Sequence, residues 1–154
     1  MKYIRVETVN LSDNRSLGGF LAGALTLLAL KLGVSPDCSN EMWEYALKKA
    51  DDGDAWEIWY ILTECLESMP QPKIYVNDKK NHYCLFKENA FCGKYEWNLS
   101  IVSDYLNEET NGKLAFVERE FEIDNNEILY EDEYQIVISM NTYEARKTDC
   151  CVRM

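Results

Sequence analysis

The stretch Leu114 to Ser139, LAFVEREFEIDNNEILYEDEYQIVIS, decides how the rest of the chain is read. Two runs of alternating apolar and polar residues flank Asp124-Asn125-Asn126-Glu127, and their β-branched and aromatic residues predict paired strands. Asparagine tolerates the positive φ of a two-residue hairpin turn, so Asn125-Asn126 is the expected reversal. That register sets Ile123 opposite Ile128, Phe121 opposite Tyr130, Arg119 opposite Asp132 and Val117 opposite Tyr134 on a core face. The other face pairs Glu120 with Glu131 and Glu118 with Glu133, and places Glu122 beside Leu129. Like charges directly opposed destabilise a sheet. A row of five glutamates therefore points to a partner rather than to the fold.

Charge across the whole chain points the same way. Sixteen basic against 27 acidic residues give a formal charge of −11. Between Asp104 and Glu133, eleven acids face only Lys113 and Arg119, so thirty residues carry −9 of that charge. This balance argues against direct contact with nucleic acid or an anionic membrane, both of which require basic surface. The bland alternative is a solvated face that only confers solubility. A hydrophobic content of 47% with four Trp, ten Tyr and five Phe excludes a disordered acidic tail, and 154 residues fit a single domain with its own core.

Working outward, Met1 to Val9 reads as a strand, edge or central. Ser12 or Asp13 is the expected cap of a first helix that stops near Gly33. Leu17 to Leu30 carries no charge and is shorter than the roughly 20 residues that span a bilayer, which predicts a helix surrounded by the fold. Gly19 and Gly23 within it signal close helix packing. Ser35-Pro36-Asp37 is expected to start a second helix reaching Ala50, with Cys38, Met42, Ala46 and Leu47 inward. Asp54 with Glu57 resembles a capping box for a third helix, Ala55 to Met69. Its core face carries Ala55, Trp59, Leu62, Leu66 and Met69, with Trp56 and Tyr60 on a more exposed flank.

Pro70-Gln71-Pro72 closes the helical part. Lys73 to Val76 and His82 to Lys87 then read as a hairpin, and Tyr95 to Glu108 as a fourth helix presenting Leu99, Val102, Tyr105 and Leu106. Asn141 to Met154 reads as a loosely docked tail. The expected architecture is one α+β domain. Residues 1–69 form a mainly helical layer of about three helices, and residues 73–140 a mostly antiparallel sheet with one further helix.

Candidates for chemistry are sparse. His82 is the single histidine, and Cys84 lies two residues along the same strand, but no nucleophile elbow or orienting acid accompanies them. His82, Cys84, Cys92 and Cys150 or Cys151 lack the spacing of a zinc knuckle or ribbon. The six cysteines are expected to be free thiols in a reducing, cytoplasmic setting. No phosphate loop or dinucleotide fingerprint is present, and no cofactor is implied.

The leading expectation is an acidic, non-enzymatic inhibitor that occupies the basic groove of a nucleic-acid-binding protein or nuclease by charge mimicry. Anti-restriction, anti-CRISPR and toxin-immunity proteins use this device, which is an analogy of mechanism. The residues expected to carry it are Glu118, Glu120, Glu122, Glu131 and Glu133, with Asp124 and Glu127 at the turn. The alternatives are a metal-dependent hydrolase using the same carboxylates and an interaction module anchored on Trp56 and Tyr60.

Overall fold

The computed structural model describes residues 2–91, 94–147 and 151–153. Its organising strand is β1, Lys2–Asn10. Tyr3, Ile4, Val6, Glu7, Thr8 and Val9 are all buried, so both faces of this strand are covered. One edge of β1 pairs along its whole length with β4, Leu114–Glu122, setting Tyr3 against Phe121 and Ile4 against Glu120. On the other edge it pairs with β3, His82–Lys87, only at Tyr3 and Ile4. Beyond Ile4 it turns to β2, Arg15–Gly19, with Glu7 against Gly19 and Val9 against Ser16. β3 in turn pairs with β6, Gln135–Ser139, which holds the two-residue β5, Tyr130–Glu131. With β7, Cys151–Arg153, beside β4, the path reads β5-β6-β3-β1-β4-β7, every pairing antiparallel.

The predicted hairpin does not form: β1 and β3 lie between β4 and β6. Two local preferences explain this. Asp124 and Glu127 close a capping box around a 3-10 turn at Asn125–Glu127. Among the described residues, positive φ outside glycine is confined to Asn14, Asp51 and Asn111, so no two-residue hairpin turn exists at Asn125-Asn126. The true reversal is at Asp132, whose Oδ1 accepts from the backbone N–H groups of Tyr134 (2.9 Å) and Gln135 (3.0 Å). Tyr130 to Ile138 is thus two strands rather than one.

The helices are α1, Phe20–Leu32; α2, Asn40–Ala50; α3, Gly53–Ser68; α4, Lys73–Asn77; α5, Lys94–Glu109; and α6, Met140–Arg146. α1 starts later than expected because Arg15–Gly19 is taken by β2 after a reversal at Asn14. It ends at Gly33, whose φ of 72° is the left-handed stop predicted there. One flank of α1 stays open, with Leu30 78% exposed, where the sequence predicts full enclosure. The cap of α2 is Ser39, not Ser35, and Trp43 rather than Met42 faces inward. The cap of α3 is Asp52, whose carboxylate accepts from Asp54 and Ala55 N–H. Residues 73–77 are helical, with Tyr75 and Val76 N–H bonded to the Pro72 carbonyl, so the expected 73–87 hairpin is absent.

α1, α2 and α3 build one core around Leu28, Trp43, Leu47, Trp59 and Leu62. Ile4 and Val6 join the helical layer to the sheet through Phe20, Met69 and Leu99. The opposite sheet face carries Tyr3, Leu85, Phe121, Ile136 and Ile138. It is covered by α6, whose Tyr143 is buried, so residues 141–146 are docked structure where a tail is expected. The fold is α+β, as the sequence predicts, and no helix among the described residues is long and apolar enough to cross a membrane.

Candidate functional site

The seven acids expected to form one array are dispersed. Glu118, Glu120 and Glu122 lie on β4 opposite Val6, Ile4 and Lys2, on the face that meets the helical layer. Each of the three is engaged within the chain. Asp124 and Glu127 are gripped by Arg146, whose Nη2 reaches Glu127 Oε1 at 2.8 Å and Asp124 Oδ2 at 3.4 Å. That guanidinium, with the Asp124 backbone N–H, holds the Glu127 carboxyl below its usual range. Glu131 pairs with Lys87 at 2.7 Å across the sheet, and Glu133 is exposed beyond the Asp132 turn. The two halves of the expected row are therefore separated by β1, β3 and β6, and the acids around the turn are answered by bases of the same chain.

The exposed flank of α3 does hold together. Trp59 is buried, Trp56 half-buried and Tyr60 62% exposed. Tyr60 stacks on Trp56 with centroids 5.7 Å apart and planes 25° from parallel, and meets Trp59 edge-on at 5.6 Å. The buried ring thus braces the exposed one. Helical spacing puts Glu57 and Glu64 one turn from Tyr60, with Glu67 beyond. α3 contains four acids, Asp54, Glu57, Glu64 and Glu67, and no base.

A polar centre that the sequence reading missed lies beneath α6. Glu7 is 1% exposed. Its Oε1 accepts from Tyr143 OH at 2.7 Å and Arg5 Nε at 3.0 Å, and its Oε2 from Arg119 Nε at 3.1 Å. Burial alone would raise its pKa; the Tyr143 hydroxyl, Arg5, Ser16 and Arg119 outweigh that and keep it low. Burial and Glu7 together push the Tyr143 phenol up. The one sequence signal was the even-numbered spacing of Tyr3, Arg5 and Glu7, which places all three on one strand face.

Where β1 leaves β3, the sheet opens into a cavity of about 460 Å³. Phe20, Leu25, Leu66, Met69 and Phe86 supply apolar wall, while Arg5, Tyr75, Lys79 and Gln135 bring polar groups to it. Cys84 also lines it, but burial pushes that thiol up to about 12, which leaves it protonated and poorly nucleophilic. His82 Nδ1 lies 2.8 Å from the Asp78 carbonyl oxygen, a local turn contact. Among the described residues, no group of three or more His, Cys, Asp or Glu is placed to hold a metal. Cys92 and Cys150, named above as zinc candidates, lie outside the described residues. No family model, curated protein or solved structure matches this chain.

Proposed function

We propose that this chain is a non-enzymatic binding protein whose target is a basic protein of the nucleic-acid-binding or nuclease type, and that the contact is centred on α3. The observation that supports this reading is the braced Trp56–Tyr60 stack, with Tyr60 exposed on a helix that carries acids and no base. Aromatic side chains held in place before binding lose little entropy on contact and dominate interface energetics. The surrounding acids match a lysine- or arginine-rich surface and repel other acidic partners. Glu118, Glu120, Glu122, Asp124, Glu127, Glu131 and Glu133 enter this reading through the field of a chain of charge −11, which speeds encounter, rather than as one contact array.

The test is affinity capture from extract at low and high salt, followed by titration of the purified partner. Tyr60→Ala removes the exposed anchor, and the expected loss is about 30-fold, the size of an interface hot spot. Glu57→Lys with Glu67→Lys should slow association and flatten its salt dependence. A captured partner with an acidic surface, or one indifferent to both changes, would overturn the reading.

A further inference from the structure

We propose that the cavity at the split between β1 and β3 binds a small amphipathic organic anion, with Arg5 as its anchor. Arg5 sits in the wall where the two strands part, and its side chain is only 12% exposed. Its orientation is fixed on two sides. Nε donates to Glu7 Oε1 at 3.0 Å, and the guanidinium lies 4.8 Å from the centroid of the Tyr83 ring. Glu7 is itself held by Arg119 and Tyr143, so the anchor rests on a closed network. Among the described residues, neither terminal amino group of Arg5 has a hydrogen-bond acceptor. Neither is sealed from solvent, since no fully buried polar atom is left unpaired. A planar fork of N–H donors, largely withdrawn from water on a residue that lines the cavity, suits a carboxylate or a related oxyanion.

The remaining lining fits the rest of such a ligand. Lys79 brings a second cation to the rim, 5.8 Å from the centroid of the Tyr75 ring. Tyr75 is itself close enough to Arg5 to feel its charge. Among the described residues of the lining, Asp37 is the single carboxylate, against these two bases. This inverts the sign of a chain whose net charge is −11. Phe20, Leu66, Met69 and Phe86 offer an apolar bed opposite the charge. The volume of 460 Å³ lies within the range of about 300–1,000 Å³ usual for small-molecule sites. An anion with a short alkyl or aryl body satisfies both halves; a bare inorganic anion leaves the apolar half wet.

The probe is anilinonaphthalene sulfonate, an aryl anion whose fluorescence rises in an apolar site, displaced by octanoate or by octanol. The expected result is saturable binding at one site, with octanoate displacing the probe at about tenfold lower concentration than octanol. Arg5→Met should remove that preference, and Ala22→Trp, at an exposed position of the lining, should weaken both competitors. Octanol competing as well as octanoate, or binding unchanged in Ala22→Trp, overturns the proposal. If Arg5→Met does not fold, Lys79→Gln tests the same preference from the exposed rim, away from the Glu7 network. A preference for octanoate that survives Lys79→Gln undiminished while Ala22→Trp binds normally also overturns it.

Discussion

Replacing Glu7 by glutamine removes the anion on which Arg5, Arg119 and Tyr143 converge, and changes almost nothing in shape. The carboxylate is 1% exposed and takes three side-chain donors at 2.7 to 3.1 Å. Glutamine keeps one acceptor oxygen but turns an amide N–H₂ towards a donor, leaving two guanidiniums facing a neutral group. Removing one partner of a buried ionic cluster costs about 3–5 kcal/mol. The partial exposure of Arg119 and the retained oxygen argue for the lower end, so the expected loss is about 3 kcal/mol. For a chain of this size that is a fall in Tm of about 6–12 °C. The pH dependence follows from the lowered pKa of Glu7. A carboxyl held below its unfolded value stabilises the fold above that value, and the contribution is lost as pH falls through the folded pKa. Urea titrations of both proteins at neutral pH and in acid should therefore show a gap that closes below the usual carboxylate range. A gap under about 0.5 kcal/mol at neutral pH, the size of an ordinary surface change, would refute the network's role.

Other consequences can be checked alongside. Gly23→Ala places a Cβ inside the volume of the buried Thr8 side chain, so a stability loss of about 1–3 kcal/mol is expected, partly recovered by adding Thr8→Ala. Lys31 joins α1 to Asp52 at 2.9 Å and to Glu109 at 3.0 Å. Its raised pKa keeps that contribution from neutral pH into the alkaline range, with loss only as pH rises through the folded value. Lys31→Met should cost about 1 kcal/mol, since all three groups are about one-third exposed. Alkylation of the native protein at mild pH followed by mass mapping should label Cys38 well before Cys84, whose thiol is buried and pushed up to about 12. Equal labelling would show that the cavity wall opens readily.

The legible part of the fold was its periodicity. α3 and α5 were read almost to their ends, since Trp59, Leu62, Leu99, Val102 and Leu106 recur at helical spacing and are buried as that spacing demands. The stop at Gly33 and the strand character of Lys2 to Val9 and His82 to Lys87 were equally plain. Pairing was not. Alternation says which side of a strand is apolar but not which strand lies beside it. Glu131 and Glu133 were read as outward strand positions, and Asp132 as a core-face position opposite Arg119, because the alternation was regular. Asp132 instead uses its carboxylate to cap two backbone N–H groups, a turn preference that overrides alternation. Likewise the paired asparagines yielded to the capping box of Asp124 and Glu127. The burial of Glu7 was not legible, because the two arginines and the tyrosine that neutralise it come from positions 5, 119 and 143. Trp56 and Tyr60, by contrast, sit on the exposed flank that their helical spacing predicts.

The placement of the partner contact on α3 is tested most directly by measuring the affinity of one purified basic partner for two variants side by side. One is Tyr60→Ala; the other combines Glu118→Gln, Glu120→Gln and Glu131→Gln. A loss of about 30-fold is expected for Tyr60→Ala. The triple variant should lose no more than about threefold, mostly in the rate of association, as expected for charges acting at a distance. The opposite pattern, with Tyr60→Ala binding normally and the triple variant losing its partner, would return the contact to the sheet and contradict the account.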